Sequence, residues 1–339
     1  MKHVILTSMP DKAITRSWNA FLADIPLATH YMTANYFTDP YVSGERFAVL
    51  AADEAGDVTA VITGIIDGEK IGSGLSCRPQ MAFRDKTDRG AAADALIAGL
   101  DEISDGRKLI ELHSWSHVDE LMRPDMTVKP STAETSVVML DLAGGADAIF
   151  SQFSRNRRNN IRAATKRSDV EIKELETDVE LDELYQLHCE WNKRKGNPAD
   201  TFERMQTATS LRENRRIFIA KTDGKVIAGS FFRFCPDGVV EYSANFSLQE
   251  DQKLRPNDLI VWHAIKWACE SGFSHFSMGG SHLFLRRFGG DVVTTYRYAR
   301  DDRPFGIQRL KTNVRELGVE TYRRLPDNVR AGVRRVFAR

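Results

Sequence analysis

The sequence predicts an α/β (α+β) protein built from two similar domains in tandem, each a mixed, mostly antiparallel sheet flanked by helices. Two observations lead to this prediction: an approximate internal repeat, and the succession of strand-like and helix-like segments within each copy. The segment FAVLAADEAGDVTAVITGII from Phe47 resembles IFIAKTDGKVIAGSFFRF from Ile217, since each reads as two strands joined by an Asp/Gly turn. The offset of about 170 residues is much longer than a solenoid repeat, so a duplicated domain is expected.

Composition places the chain among ordinary globular proteins. It has 339 residues, 42% of them hydrophobic and 28% charged, with a formal net charge of zero, which is enough sequence for two domain cores. No apolar run approaches the roughly 18 residues of a membrane helix, and the first residues lack a signal-peptide pattern, so a cytoplasmic location is expected. The four cysteines form no CxxC pair and are expected to be reduced thiols, with no metal site.

In the first copy, a predicted helix over Arg89–Ile103 precedes a strand over Lys108–Trp115. The strand leads into a loop that contains His117, and the loop before the helix carries Arg78 and Arg84. Because a strand end does not bring His113 and His117 onto one face, a metal pair is not favoured there.

Between the copies lie a predicted strand, Thr135–Leu142, and a basic helix over residues 146–167. The helix includes Arg155, Arg158 and Arg162, and no acidic residue occurs between Asp147 and Asp169 to pair with its cations. The uncompensated charge suits contact with phosphate or RNA, whereas a solvated helix face is the alternative.

The second copy is predicted to run in the order β, α, α, β, β, β, α, β, β. A strand over Val170–Glu176 precedes helices over Val179–Lys195 and Thr201–Glu213, and three strands then lie within residues 217–246. The last helix, strand and loops occupy the text NDLIVWHAIKWACESGFSHFSMGGSHLFLRRFGGDVVTTYRYAR from Asn257.

This order resembles the N-acetyltransferase (GNAT) superfamily core, in which the activated acyl group lies where two central strands diverge. On this resemblance the diverging strands are Val239–Phe246 and Phe273–Met278. The segments SRNRRNNIRAATKRSDVEIKE and EYSANFS, followed by the C-terminal text above, are similar to the FemAB/FemX family of tandem GNAT-like domains. The family resemblance implies an acyltransferase that moves an amino acid from aminoacyl-tRNA to an amine of a peptidoglycan precursor in cell-wall biogenesis. FemAB-like proteins of exopolysaccharide loci share this text.

The resemblance implies three parts. Residues 1–145 would be the acceptor-side domain, residues 146–310 the acyl-donor-side domain, and residues 311–339 a basic C-terminal helical tail that would contact RNA or an anionic membrane surface, or pack on the fold. The implied acceptor is the amine of a cell-wall precursor, peptide or amino sugar. No tightly bound cofactor is expected; aminoacyl-tRNA or acyl-CoA would serve as co-substrate, and DNA would not be a partner.

Two departures from these families concern the donor. Ordinary acetyltransferases have an R/Q-x-x-G-x-G/A loop whose amides hold the coenzyme A pyrophosphate, but the corresponding loop here, LQEDQKLRPNDLI, has no glycine and includes Pro256. The FemX family often has Phe-Lys before the final glycine turn, where this chain has Phe284 and Leu285. Arg286 or Arg287 would then supply the cation, which stabilises charge but does not transfer a proton.

Attack of an amine on an activated ester or thioester requires orientation of both partners, removal of a proton and stabilisation of an oxyanion. Backbone amides near Gly279 and Gly280 would hold the oxyanion, and Tyr242 and Asn245 would orient the amine, with Glu241 on the opposite face of the strand. The candidate catalytic residues are Tyr242, Asn245, Gly279, Gly280, Arg286 and Arg287. The candidate substrate-binding residues are Arg78, Arg84, Trp115, His117, Arg155, Arg158, Arg162, Asn257 and Phe284.

Three readings of the activity stay open. One is an aminoacyltransferase of the FemAB type, and the second is an N-acyltransferase of polysaccharide or lipid biosynthesis that uses acyl-CoA or an acyl carrier protein. The third is a catalytically inactive binding homologue, which the missing lysine at Leu285 allows.

Overall fold

The computed structural model describes residues 1–85, 88–107, 109–167 and 169–302. The strands in chain order are β1 (Lys2–Leu6), β2 (Glu45–Ala52), β3 (Val58–Asp67), β4 (Lys70–Ser73), β5 (Met81–Phe83), β6 (Leu109–Ser114), β7 (Met126–Pro130), β8 (Val137–Asp141), β9 (Glu171–Glu174), β10 (Arg215–Thr222), β11 (Lys225–Phe234), β12 (Val239–Ser247), β13 (His275–Ser277), β14 (Asp291–Val293) and β15 (Tyr296–Asp301). The α-helices are α1 (Lys12–Ala23), α2 (Arg89–Ser104), α3 (Gly145–Gln152), α4 (Arg155–Arg167), α5 (Asp178–Lys195), α6 (Phe202–Ser210), α7 (Pro256–Glu270) and α8 (Leu283–Arg286).

Within those ranges the strands form two mixed sheets. The first has the order β1-β2-β3-β4-β6-β15-β7, with β5 paired to β3 beside β4, and the second has the order β14-β8-β13-β12-β11-β10-β9. Each sheet contains one central parallel pair, β4 with β6 in the first and β12 with β13 in the second, among antiparallel neighbours. The predicted fold class, two mixed sheets flanked by helices, is confirmed.

The two sheets exchange strands. We call residues 1–145 the first half and residues 146–302 the second half. β8 precedes the second half in the chain, yet it lies between β13 and β14 in the second sheet. β15 lies at the end of the second half, yet it lies between β6 and β7 in the first sheet. Both exchanged strands occupy interior positions. Each sheet therefore contains one strand contributed by the other half of the chain.

Local sequence signals explain where the helices begin and end. Thr177 and Glu180 form a capping box at the start of α5, and Gly196 ends that helix in the left-handed region with φ 73°. Asp88 caps α2 by accepting a hydrogen bond from the Ala91 amide at 3.0 Å. These caps satisfy amides that the helices cannot pair internally.

Helices pack on both faces of each sheet and bury apolar side chains there. In the second half, α7 packs on one face of β10–β13 through residues such as Ile260 and Ala264, whereas Leu184 of α5 packs on the opposite face. In the first half, α2 covers one face through Leu96 and Leu100, and α1 covers the other through Trp18 and Phe21. Burial of such large side chains contributes roughly 1.5–3 kcal/mol each.

Two sequence predictions of secondary structure need correction. The basic helix predicted over residues 146–167 is two helices, α3 and α4, because Phe153 takes an extended conformation and is buried, and the Ser154 hydroxyl then accepts from the Arg157 amide at 3.3 Å. The basic loop after Gly280 contains the short helix α8. The tail predicted for residues 311–339 lies outside the described residues. In the part of the chain that is described, no helix is long and apolar enough to cross a membrane.

Candidate functional site

The second sheet opens at its central parallel pair. β12 and β13 are paired from Val239 and His275 to Glu241 and Ser277, and beyond these residues β12 continues while β13 ends. Gly279 follows with φ +69°, and a Cβ atom there would lie inside contact distance of the Tyr242 carbonyl oxygen. Glycine is therefore required at this position, because the backbone lies directly against Tyr242 of β12 just past the last paired residues and has a positive φ. The strands that diverge are those named from the sequence.

The N-terminus of α7 borders this opening and already carries an internal ion pair. Asp258, in the first turn, is 4% exposed and accepts a hydrogen bond from the Arg157 guanidinium of α4. The guanidinium also lies over the rings of Phe284 and Phe288, 4.4 and 4.3 Å from their centroids. Burial raises the pKa of the Asp258 carboxyl and lowers that of Arg157, while the attraction between the two groups opposes both shifts.

Two exposed arginines flank the same helix end. Arg255, in the left-handed region with φ 60°, immediately precedes Pro256, and Arg287 follows α8. Both charges act on the Asp258 carboxyl and lower its pKa against the effect of burial. Arg255 and Arg287 thus form a cationic rim at the helix N-terminus, where backbone dipoles also favour an anion.

The neighbouring positions of the predicted basic loop are engaged elsewhere. Arg286 donates to the carbonyl oxygens of Ser281, at 2.5 Å, and Ala133, at 2.8 Å, and so ties α8 to the segment before β8. Leu285, at the position of the family lysine, is 4% exposed and lies in the core of the second half. Phe284 is half-buried beneath Arg157.

The remaining predicted catalytic residues are divided between the core and the opening. Tyr242 is 8% exposed and stacks on Phe232, with ring centroids 5.6 Å apart, and burial raises its pKa. Asn245 is half-buried on β12 beyond the point of separation. The Gly279 amide donates to the Ser277 hydroxyl at 3.2 Å, and the Gly280 carbonyl accepts from Val138 at 3.0 Å. Of the two glycine amides proposed for an oxyanion, that of Gly279 already has a partner.

The opposite face of β12 meets the first half. Glu241 is 3% exposed, and its Oε1 lies 2.6 Å from Nε of Arg78, which comes from the loop between β4 and β5. The carboxylate raises the pKa of Arg78 above its ordinary value. Arg78 also lies over the Tyr31 ring at 5.7 Å. Glu241 and Tyr242 thus point to opposite faces, and the polar face is the one against the first half.

A second buried ion cluster continues this interface. Asp39 of the first half lies 2.8 Å from Nε2 of His30 and 2.7 Å from the Arg215 guanidinium, and all three side chains are at most 2% exposed. Arg233 donates to the Tyr31 hydroxyl and lies 3.9 Å from Asp39. Burial acts to raise the pKa of Asp39, but the His30 hydrogen bond and the two arginines hold it below its ordinary value. Burial lowers the pKa of His30 to about 4, so the ring is neutral at neutral pH.

A cavity of about 300 Å³ lies in the first half beside this cluster. Tyr36, Tyr41, Lys70 and Gln80 contribute to its lining together with Gly74, from the loop that carries Arg78. Tyr41 also lies beneath the guanidinium groups of residues from the second half: Arg204, Arg215 and Arg233. The cavity therefore has aromatic walls and charged neighbours from both halves.

The other first-half candidates are spread apart. Arg84 lies 3.5 Å from Asp24 and over the Phe21 ring. Trp115 lines a separate cavity of about 210 Å³. His117 is exposed, lies 3.1 Å from Asp119 and contacts the edge of Tyr296. They do not form one site with Arg78.

The α4 candidates have different environments. Arg155 and Arg162 are exposed, and Arg162 lies over the Phe150 ring at 5.3 Å. Arg158 donates to the Ser151 and Phe153 carbonyls and closes the end of α3. On α7, Asn257 donates to the Ser247 hydroxyl at 3.2 Å. Arg155 and Arg162 thus remain on the surface, and Arg158 and Asn257 hold elements together.

Sequence reasoning missed the buried charges. The Arg157–Asp258 pair joins residues 101 positions apart, and Asp39 meets Arg215 across the two halves. A lone acid or arginine in a loop or strand has no local signal of burial, although Asp258, two residues after Pro256, fits the acidic first turn of a helix and indicates the α7 terminus. Among the described residues, no group of His, Cys, Asp and Glu side chains is arranged to hold a metal ion.

Residues 151–300 match the family described as acetyltransferase (GNAT) domain. No curated protein matches the chain in sequence. The structure is similar to that of FemX, with a TM-score of 0.63 at 14% identity, over 89% of this chain and 97% of that chain.

Two further solved structures share the fold. L-PGS from Bacillus licheniformis has a TM-score of 0.54 at 14% identity, over 92% of this chain and 98% of that chain. A tandem GNAT protein from the clavulanic acid biosynthesis pathway has a TM-score of 0.51 at 12% identity, over 89% and 99%. At these identities the likeness concerns the fold, and the family match concerns the second half. The second half thus carries a GNAT-type acetyltransferase domain, the chain as a whole has a tandem-domain fold similar to that of FemX, and the protein is an acyltransferase.

Proposed function

We propose that the protein transfers an aminoacyl group from aminoacyl-tRNA to the amine of a cell-wall precursor or peptide, by direct attack of the amine on the ester. The observation that carries this proposal is the N-terminus of α7. Its first turn holds Pro256 and the Asp258 carboxylate, paired with Arg157, where an ordinary acetyltransferase offers free glycine amides to a pyrophosphate. The Asp258 carboxylate would therefore compete with the pyrophosphate of coenzyme A for this helix N-terminus.

The charges outside that turn favour a larger polyanion. Arg255 and Arg287 are exposed on the rim, and Arg155 and Arg162 are exposed on α4, which packs against α7. Side chains at a surface attract a phosphodiester backbone without requiring the close approach that free amides require. We assign the donor to this side of the second half, with Arg287 rather than Arg286 beside the transferred group, since Arg286 is held by Ser281 and Ala133.

We assign the acceptor to the other face of β12. The cavity with Tyr36, Tyr41 and Lys70 offers aromatic surface and a cation for a cell-wall precursor or peptide. It lies beside the loop whose Arg78 holds Glu241 at the last position of β12 that pairs with β13. Donor and acceptor would then approach the separated strands from opposite faces of the sheet, as a direct transfer requires.

The proposed reaction requires few catalytic side chains. The ester of the donor is already activated, so orientation and stabilisation of the oxyanion account for most of the rate. Asn245 and the Gly280 amide are the candidates in the opening, since Gly279 already donates to Ser277. Leu285 is buried in the core of the second half, so its side chain would take no part in this transfer.

The test is transfer of a labelled amino acid from charged tRNA to a panel of amines: peptidoglycan precursors, peptides and amino sugars. We expect transfer that falls steeply with salt concentration. A second candidate, an N-acyltransferase that uses acyl-CoA or an acyl carrier protein, is favoured by the acetyltransferase family match. Transfer from acyl-CoA to the same amines, with none from charged tRNA, would replace the first proposal by the second. Binding of both substrates without transfer would support a catalytically inactive homologue.

A further inference from the structure

One wall of the cavity of about 300 Å³ is a short loop of the first half, residues 40–43, from which Tyr41 and Val42 line the cavity. The loop backbone is held from its own half. The Tyr41 amide donates to the Asp39 carboxylate at 2.8 Å, and the Val42 amide donates to the Asp39 carbonyl at 3.2 Å. The Arg46 guanidinium, on β2, donates to the Val42 carbonyl at 2.7 Å. These bonds fix the path of the backbone, but they leave the Tyr41 ring to be positioned by other contacts.

The Tyr41 ring is held from the second half. Three guanidinium groups lie over it, 5.1 to 5.6 Å from the ring centroid: those of Arg204, Arg215 and Arg233. Arg215 and Arg233 are buried and belong to the ion cluster of the interface. Arg204 comes from α6, its side chain is 34% exposed, and its Nε donates to the Pro40 carbonyl at 2.8 Å. Arg204 therefore contacts both the ring and the residue before it.

The direction of the Arg204 side chain is set by its own half. Nη1 of Arg204 donates to the Asp200 carboxylate at 2.9 Å, and the Asp200 amide donates to Nε2 of His188 at 2.9 Å. His188 is 3% exposed on α5, and burial lowers its pKa, so the neutral ring accepts this bond. The His188 ring also contacts Phe246 of β12, with centroids 4.5 Å apart. A continuous series of contacts thus runs from the end of β12 to the cavity wall.

We propose that Arg204 is a positioning residue for the acceptor, acting through Tyr41. This proposal rests on the assignment of the acceptor to this cavity in the proposed function. The acceptor binds only to molecules in which the wall is in place, so a smaller fraction of such molecules raises the apparent dissociation constant in proportion. Because Tyr41 lines the cavity and the transfer is assigned to the opening at β12, loss of Arg204 would weaken acceptor binding and leave the chemical step unaltered.

The first test is the steady-state kinetics of Arg204→Ala, with the amine of the panel that the wild-type protein uses best. We expect KM for the acceptor to rise about tenfold, while kcat and KM for the donor change less than about twofold. Arg204→Lys keeps a cation near the Tyr41 ring and a donor for the Pro40 carbonyl. Its KM for the acceptor should therefore lie within about threefold of the wild-type value.

Arg212 offers a matched control. It follows α6, and its guanidinium donates to the Glu174 carboxylate at 2.6 Å and to the Leu175 carbonyl at 2.8 Å. Arg204 likewise donates to one carboxylate and one carbonyl, but its carbonyl belongs to the first half. Arg212→Ala therefore removes the same kinds of bond from within the second half, and we expect KM for the acceptor to change less than about twofold.

A second measurement does not need activity. Hydrogen exchange followed by mass spectrometry reports the opening of the loop through the amides of Tyr41 and Val42, which are both hydrogen-bonded. We expect exchange in residues 40–43 to be at least about fivefold faster in Arg204→Ala and to change less than about twofold in Arg212→Ala.

The outcomes separate this proposal from the proposed function. Unchanged exchange in Arg204→Ala overturns the positioning role, and so does faster exchange without a rise in KM for the acceptor. Equal effects of Arg204→Ala and Arg212→Ala also overturn it, because they would show a general loss of stability. If no amine is transferred from charged tRNA or from acyl-CoA, the proposed function fails, while the exchange measurement still decides whether Arg204 holds the wall.

Discussion

Arg78 of the first half and Glu241 of the second form an ion pair of 2.6 Å between Nε and Oε1. Glu241 is buried at the last residue of β12 that pairs with β13, and its partner in the ion pair, Arg78, comes from a loop of the other half. Breaking a buried pair by removing one partner costs about 3 kcal/mol or more, since the other charge is left unpaired. Arg78→Met is therefore expected to lower the free energy of unfolding by about 3 kcal/mol. Denaturant unfolding measures this change.

The double variant Arg78→Met/Glu241→Gln is the control for that pair. Removal of both charges leaves no unpaired ion, so we expect it to recover at least about 1 kcal/mol relative to Arg78→Met. Equal stabilities of Arg78→Met and the double variant would show that the unpaired Glu241 carboxylate carries no penalty.

Gly279 and Gly280 are adjacent but differ in what a side chain would meet. Gly279→Ala places Cβ against the Tyr242 carbonyl at φ +69°, and we expect a loss of about 2 kcal/mol or more in unfolding free energy. At Gly280, which has no positive φ, the nearest atom to an added Cβ is Leu285 Cδ1 at 3.4 Å, and Gly280→Ala is expected to cost less than about 1 kcal/mol. Comparable losses at the two positions would refute the account of the opening.

His30 makes stability depend on pH. Its pKa is about 4 in the folded protein against an ordinary 6.5, so the folded state binds the proton less readily than the unfolded state. Stability due to this group is complete above pH 6.5 and is lost as pH falls from 6.5 toward 4, on the order of 3 kcal/mol in total. His30→Gln should flatten the loss in this window, measured by denaturant midpoints from pH 7 to pH 4. An unchanged slope would mean that His30 is accessible to protons in the folded protein.

Arg287 is expected to affect donor binding. For the proposed transfer, Arg287→Ala should raise KM for the polyanionic donor about tenfold, with kcat little changed and a smaller dependence of KM on salt. Arg286→Ala removes the same charge from a side chain held by Ser281 and Ala133, and it should change KM less than threefold. A larger effect at Arg286 would place the donor nearer the segment before β8.

Local patterns predicted the elements well, because their periodicity and turn residues are local properties. The Asp/Gly turns at Asp223 and Asp237, both with positive φ, and the helix start at Pro256 lie within a residue or two of where the sequence places them. The break at Phe153 was not predictable, because it depends on burial of one ring against Trp262 and Phe288.

Fewer features of the candidate site could be predicted from the sequence. Strand alternation placed Glu241 and Tyr242 on opposite faces, but it did not tell which face meets the first half, because this depends on how the two sheets pack. The Arg157–Asp258 pair and the Asp39 cluster are contacts between distant segments and leave no spacing signal. The roles proposed for Asn245, Gly280 and Arg287 remain predictions.

The interior positions of β8 and β15 have a consequence for dividing the gene. A fragment that ends near residue 145 would lack β15 and expose two unsatisfied strand edges, on β6 and β7, while a fragment that begins there would lack β8 between β13 and β14. Neither piece can complete its hydrogen bonding alone, so each would aggregate when produced separately. Despite the repeat in the sequence, we therefore expect the two halves to fold as one cooperative unit.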